Sequence, residues 1–233
     1  MQRFSFPNLL LWKDISISEE TFIHQISRVL RSTIGEDIVL FNGDGEEYTY
    51  TIHAISKKEI ELAFKKKYKN MGDSEISVRL YQAMPNKYEK IEYILQKWVE
   101  VGVQEFIFFR SERSQKLVIN ERKIERFREI VREATEQCGG NKVPTITFLE
   151  SIIPLPSDGL SYVFHTEDTD SKPISSIDKE SSIINLFVGP EGGFSPVEIS
   201  FSQENNIQKI HLGARILRTE TTWVVATFFL LQR

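Results

Sequence analysis

The residues with the clearest chemical use lie in the last quarter of the chain. An apolar run, Ile183 to Val188, leads into Gly189-Pro190-Glu191-Gly192-Gly193. Ser195, Pro196 and Glu198 follow with the spacing of an N-cap, a first-turn proline and a capping-box glutamate. A strand that passes through a glycine turn into a helix N-terminus can present bare backbone N–H groups to a ligand. No Lys-Ser/Thr pair follows the glycines, and they do not form GxGxxG, so neither nucleotide-loop pattern applies. Glu191 within the loop disfavours phosphate and suits a neutral or cationic ligand. A plain strand-to-helix turn is the competing reading. A second apolar stretch, Lys209 to Leu212, ends at Gly213 and runs on to Arg218-Thr219-Glu220. Two strand-end glycine loops at the C-terminal edge of a parallel sheet could hold one ligand between them.

Around this pair stand further candidates. Arg218 and Glu220 open the final helix and read either as site residues or as an Arg–Glu brace at a helix start. His165 closes a strand near the expected cleft and reads as a structural or a ligand-facing histidine. Arg110 and Arg113 bracket a strand-end loop. Arg28 and Arg31, three apart on a helix, can meet successive phosphates or simply face solvent. With Arg3 they make the candidate RNA contacts. The four histidines and single cysteine have no metal-ligand spacing, so no metal is expected.

The elements that would position these residues change character once. Residues 1–72 read as a small β-rich unit: a helix over Phe22 to Leu30, and strands over Ile38 to Phe41, Tyr48 to Ile55 and Ile60 to Phe64. Asn42-Gly43-Asp44-Gly45 forms the hairpin turn. Lys65 to Gly72 reads as a basic linker. Strands then alternate with helices. Strands are expected at Ile76 to Ala83, Phe106 to Phe109, Thr145 to Phe148 and Tyr162 to His165. Helices are expected at Tyr88 to Val101 and Asn120 to Cys138, the latter with Glu125–Arg128 and Glu129–Arg132 pairs outward. Asp168 to Lys179 reads as loop. This alternation predicts an α/β domain with a mostly parallel sheet over residues 73–233.

Composition bounds the function classes. The chain has 233 residues, 40% hydrophobic and 27% charged, with formal net charge −4, which argues against wholesale coating of nucleic acid. Residues 1–72 carry ten basic and ten acidic side chains, so the first unit is the better polyanion binder. No apolar run approaches the roughly 20 residues of a membrane span. The first residues lack a signal-peptide layout, and one cysteine fits a reducing compartment, so the expectation is a cytoplasmic protein.

Read together, the motifs resemble the RsmE-like ribosomal RNA uridine N3-methyltransferases of the SPOUT superfamily. The two C-terminal runs carry most of the resemblance: Gly189-Pro190-Glu191-Gly192-Gly193-Phe194-Ser195 with Glu198, then Leu212-Gly213 with Arg215-Ile216-Leu217-Arg218-Thr219-Glu220-Thr221. Upstream, Arg28-Val29-Leu30-Arg31, the segment Lys87 to Lys97 with Glu100 and Gly102-Val103, Arg113-Ser114, Glu133-Ala134 with Gln137, and Val143-Pro144 also fit. Val101 stands where the family usually has Leu, and Gly140 stands where an Arg is common.

The resemblance implies an N-terminal PUA-like β-barrel for RNA and a C-terminal SPOUT α/β domain with a deep trefoil knot over about residues 160–233. It implies a homodimer using S-adenosyl-L-methionine to methylate N3 of one uridine in small-subunit (16S) ribosomal RNA, free or assembled into a 30S subunit or its precursor. The cofactor residues would be His165, Leu186, Val188, Gly189, Glu191, Gly192, Gly193, Leu212, Gly213, Ile216 and Leu217, with Glu191 or Glu220 toward the cationic methionine end. Arg218 and Glu220 would serve the chemistry. Two other readings stay open: a non-catalytic ribosome-associated protein that kept the fold, and a SPOUT enzyme acting on transfer RNA.

Overall fold

A computed structural model describes residues 1–152, 155–165 and 170–231. The chain forms two compact units. The first comprises Met1–Asp73 and Thr135–Val143, and the second Ser74–Ala134 and Pro144–Arg233. A single cut after residue 72 therefore misses one contribution. Residues 135–143 join the first unit through backbone and amide bonds that leave no periodic trace in the sequence. Asn141 accepts from the Gly45 N–H at 2.9 Å and donates to the Glu46 carbonyl at 2.8 Å.

In the first unit, β1 (Gln2–Ser5), β2 (Ile15–Ile17), β3 (Asp37–Phe41), β4 (Glu46–Ile55) and β5 (Ile60–Lys69) form one sheet in the order β1-β3-β4-β5-β2. Only β1 and β3 pair in parallel. The β3–β4 hairpin turns as its residues demand: Gly43 and Gly45 take φ of 90° and 88°. The Asn42 side chain accepts from the Asp44 N–H at 3.2 Å. Helix α1 (Glu20–His24) continues as a π-type turn over Gln25–Val29 and buries Phe22, Ile23 and Ile26 against the sheet's inner face. Lys65–Lys69 is not a linker. It completes β5: Lys66–Lys69 pair with Glu46–Thr49 of β4, and Lys65 sits at a register shift beside them. Backbone pairing with a neighbour, rather than apolar alternation, makes these residues a strand, and their side chains stand exposed.

In the second unit, β6 (Ser77–Ala83), β7 (Glu105–Phe109), β8 (Thr145–Leu149), β9 (Leu160–Phe164), β10 (Lys172–Pro173), β11 (Ile183–Val188) and β12 (Gln208–His211) form an all-parallel sheet. Its order is β10-β12-β9-β11-β6-β7-β8. Central β11 buries five of its six residues, as a strand covered on both faces must. Helices α2 (Tyr88–Glu100), α3 (Glu121–Cys138) up to Ala134, α4 (Pro196–Glu204) and α5 (Thr219–Leu231) complete the unit. On α3, Asn120 is the cap, accepting from the Lys123 N–H at 3.0 Å. The pairs it carries are Arg126–Glu129 and Arg128–Glu121 rather than the two expected from spacing. The expected loop from Asp168 begins outside the described residues; from Asp170 it holds short β10 and one 3-10 turn, Ile174–Ser176.

Trp98 on α2 and Trp223 on α5 meet at 5.2 Å, both fully buried. Gly102 ends α2 at φ 96°, and a Cβ there would come within 2.7 Å of Leu231 on α5. These contacts hold the last helix against α2 and thereby set where α5 begins.

Candidate active site

Three parallel strands, β9, β11 and β12, end side by side, and the segments leaving them enclose one cavity of about 560 Å³. Its floor is the loop after β11. The Gly193 N–H donates to the Pro190 carbonyl at 2.8 Å, closing a tight turn with Gly193 at φ 67°. A Cβ on Gly189 would stand 3.1 Å from the Gly193 carbonyl carbon and the Phe194 nitrogen, so the turn folds onto a bare backbone there. The capping box read from the sequence closes the loop: Ser195 accepts from Glu198 N–H at 3.3 Å, and Glu198 accepts from Ser195 N–H at 2.8 Å.

The opposite wall comes from the chain after β12. Ile216, Leu217, Arg218, Thr219, Glu220 and Thr222 line it, with Ile216 78% exposed. The Arg218 carbonyl accepts from the Thr221 and Thr222 N–H groups, each at 2.9 Å, and from the Thr222 hydroxyl at 3.1 Å, so Arg218 caps α5 through its backbone. Its exposed side chain makes no ion pair with Glu220 among the described residues. Phe164 and His165 close the third side, with the His165 N–H donating to Ile210 at 3.1 Å.

Of the expected residues, His165, Val188, Gly189, Glu191, Gly192, Gly193, Ile216, Leu217, Arg218 and Glu220 share this cavity. Leu186, Leu212 and Gly213 do not line it. Leu186 lies fully buried in the middle of β11, two residues short of the strand's end, and its side chain serves the core. Gly213 takes φ 115°, and its N–H donates to His211 Nδ1 at 3.1 Å.

Several groups that hold the site have no sequence motif that marks them. Gln82, fully buried at the end of β6, donates through Nε2 to the Ala83 carbonyl at 2.7 Å and to Gly189 at 3.3 Å. Its Oε1 accepts from Trp223 Nε1 at 3.1 Å, tying the glycine loop to α5. Lys90 reaches from α2 to Glu191 at 2.6 Å. Its place in a lysine-rich helix is visible in the sequence, but its partner, 101 residues away, is not.

The expected RNA arginines divide by environment. Arg3 is a correction. Its side chain is only 12% exposed, ion-paired with Glu47 at 2.6 Å, and it donates to the carbonyls of Thr135, Glu136 and Gly140. A guanidinium so occupied braces the first unit and has no face for phosphate. Arg113 Nη1 donates to the Gly192 carbonyl at 2.9 Å and Phe194 at 3.3 Å, so it also supports the glycine loop. Arg110 pairs with Glu150 at 3.0 Å on the surface. Arg28 and Arg31 are exposed, Arg31 at φ 54° just beyond the π turn.

Electrostatics single out Glu191. Burial is the largest influence and pushes its carboxyl upward, but the Lys90 ammonium and the backbone N–H groups of Glu191 and Asn86 outweigh it. The carboxyl therefore titrates below its ordinary value and is ionised at neutral pH. Among the described residues no group of His, Cys, Asp or Glu could hold a metal ion, and no helix is long and apolar enough to cross a membrane.

Residues 73–231 match the family model of an RNA methyltransferase domain, and residues 26–65 match that of an RNA methyltransferase PUA domain. A protein of Buchnera aphidicola subsp. Acyrthosiphon pisum named ribosomal RNA small subunit methyltransferase E is 30% identical over 233 residues, covering 94% of this chain and 90% of that one. A Bacillus subtilis protein of the same name is 30% identical over 213 residues, covering 85% and 82%. Among solved structures, ribosomal RNA small subunit methyltransferase E of Neisseria gonorrhoeae bound to S-adenosyl methionine superposes with TM-score 0.87 at 29% identity, covering 97% and 95%. A Legionella pneumophila methyltransferase in complex with the bound cofactor SAM gives 0.86 at 28%, covering 98% and 96%. With its PUA-like first unit and its parallel SPOUT-type second unit, the chain belongs to the ribosomal RNA small subunit methyltransferase E family.

Proposed function

We infer that the protein transfers the methyl group of S-adenosylmethionine to N3 of a uridine in small-subunit ribosomal RNA. The observation that carries this reading is the single cavity that joins the glycine loop to the Ile216–Glu220 wall. Its residues fit the cofactor. Val188, Phe164, Ile216 and Leu217 offer apolar surface for an adenine, and the loop offers backbone that no Cβ obstructs. The volume lies within the roughly 300–1,000 Å³ of small-molecule sites.

When bound, the cofactor supplies an electrophilic methyl on a cationic sulfur. The chain's own residues do the rest. Glu220, on the cavity wall and with no ion pair among the described residues, is the carboxylate for the cationic methionine end. Uridine N3 becomes nucleophilic as its proton passes to solvent water, and negative charge then spreads onto the flanking carbonyl oxygens. Arg218, permanently charged and without an ion pair among the described residues, stabilises that charge at the cavity wall. His165 and Val188 shape the inner end.

RNA is held by Arg28 and Arg31 of the first unit, whose exposure supports phosphate contact. The protein acts as a homodimer, supported by α5, which is apolar all round and leaves Val225, Phe228 and Phe229 exposed. A trefoil knot within residues 160–233 is supported by the strand order, which inserts β11 between β6 and β9 and sends β12 beyond β9; residues 166–169 and 232–233 of that segment lie outside the described residues. A cytoplasmic location follows from a ribosomal substrate.

The test is mass spectrometry of nucleosides from small-subunit ribosomal RNA incubated with protein and cofactor. The expected product is 3-methyluridine. Cofactor binding without any methylated nucleoside would favour a non-catalytic RNA binder.

A further inference from the structure

The Lys90–Glu191 pair has a consequence for the base. The two donors that reach Glu191 from other residues use one oxygen: Oε1 accepts from Lys90 Nζ at 2.6 Å and from the Asn86 N–H at 3.3 Å. Oε2 has no hydrogen-bond partner on another described residue. A carboxylate already paired with an ammonium is electrically neutral as a unit. It makes a poor anchor for a cationic methionine end, because Lys90 would repel the same cation. Glu191 is free to do something else, and an ionised carboxylate oxygen can only accept.

We propose that Glu191, held by Lys90, is the residue that selects uracil over cytosine at the target nucleotide, resting on the methyl-transfer reading above. Uracil's pairing edge presents an acceptor, a donor and an acceptor: O4, N3–H and O2. Glu191 Oε2 is an acceptor for N3–H. The Lys90 ammonium beside it and Arg218 in the same cavity are donors for the two carbonyl oxygens. Cytosine places an unprotonated N3 and an amino group on that edge. Its N3 lone pair would face the carboxylate oxygen, and two acceptors without a proton between them repel. A site built on a specific hydrogen bond discriminates strongly against a base that cannot make it. Lys90 is a positioning residue in this scheme. It fixes which oxygen points to the base and keeps the carboxyl ionised down to lower pH.

Glu191→Gln tests this sharply. Lys90 and the Asn86 N–H require an acceptor, so the amide oxygen must occupy the Oε1 position, which leaves the NH2 group where Oε2 stood. A donor then faces uracil N3–H. The measurement is affinity of the S-adenosylhomocysteine-loaded protein for two small-subunit RNA fragments, one with the natural target uridine and one with cytidine there, the target first located by nucleoside mass spectrometry. The parent should prefer uridine; Glu191→Gln should lose at least about tenfold of that preference, with cofactor affinity unchanged. A second variant, Lys90→Met, removes the clamp and leaves burial to raise the Glu191 carboxyl. The acid limb of its turnover profile should move to higher pH, because burial then acts on the carboxyl without the opposing ammonium. A merely structural Lys90 would lower the melting temperature without moving that limb. Unchanged base preference in Glu191→Gln, or cofactor affinity lost while the preference survives, overturns the proposal and returns Glu191 to the cofactor. If the parent forms no methylated nucleoside at all, the methyl-transfer reading itself has failed, and the assignment of Glu191 fails with it.

Discussion

At the scale of single residues, Arg218 combines two jobs that substitution can separate. Its carbonyl caps α5, which any residue can do, while its guanidinium stands at the cavity wall with no ion pair among the described residues. Arg218→Ala should therefore leave the melting temperature and cofactor affinity close to those of the parent. Single-turnover methyl transfer should fall by about 10²–10³, the usual cost of one preorganised donor. Arg218→Lys should recover only part of this, because a point charge lacks the planar fork. A normal rate in the alanine variant would remove Arg218 from the chemistry. Gly192 separates fold from ligand in a similar way. A Cβ there meets only Arg113, at an ordinary 3.6 Å, so Gly192→Val should fold. It should nevertheless block approach to the loop backbone and abolish measurable cofactor binding by calorimetry. Parental affinity in that variant would mean the cofactor does not lie on this loop. Gly193, at φ 67°, is less suitable for such a test, since any side chain there adds backbone strain.

The π turn that carries Arg28 and leads to Arg31 packs Ile26 inward and leaves both arginines exposed, which suits the proposed RNA contact. In it the Leu30 N–H reaches the Gln25 carbonyl at 2.9 Å, and Arg31 then takes a left-handed conformation. A non-glycine residue there costs about 1 kcal/mol, which an RNA contact would offset. Combining Arg28→Gln with Arg31→Gly removes both charges and relieves that strain. The double variant should be at least as stable as the parent to thermal melting. Its affinity for ribosomal RNA should fall, and the salt dependence of binding should become shallower by about one unit of log–log slope per lost phosphate contact. Identical slopes for variant and parent would make the arginines bystanders. Cofactor affinity, a property of the second unit's loops, should not change.

For the molecule as a whole, α5 would link the site to the proposed dimer. One stripe, Thr222, Trp223, Ala226, Thr227 and Leu230, is buried within the second unit. The opposite side leaves Phe228 at 56% and Val225 at 44% exposure, and Lys179 covers Phe229 only partly, with its ammonium 4.6 Å above the ring. Two copies pairing through this face would bury it. Phe228→Glu places a charge in that contact and should give a monomer by light scattering at micromolar concentration. Because α5 opens with the cavity residues Thr219, Glu220 and Thr222, methyl transfer should fall with the loss of the dimer. A fully active monomer would dissociate assembly from catalysis.

The sequence alone determined whatever depends on neighbours along the chain. The Asn42–Gly45 turn, the Ser195–Glu198 capping box, the Asn120 helix start and the apolar run of β11 were all legible, because a turn, a cap and a strand's burial are set within a few residues. The glycine loop after β11 and the Ile216–Glu220 segment each carried a local signal and line one cavity, whereas Leu212 and Gly213 of the second expected loop do not. Tertiary structure decided the rest. Lys65–Lys69 became strand through pairing with β4, although its own composition reads as solvent-facing linker. Residues 135–143 joined a unit whose other residues precede them by more than sixty positions, through the side chains of Arg3 and Asn141. Arg3 proved a brace, Leu186 a core residue, and Gln82, Lys90 and Arg113 supports of the glycine loop. In each case the deciding interaction joins residues far apart in sequence. A side chain's type states only what bonds it can make; its partner is chosen when the sheet order brings distant strand ends to one edge.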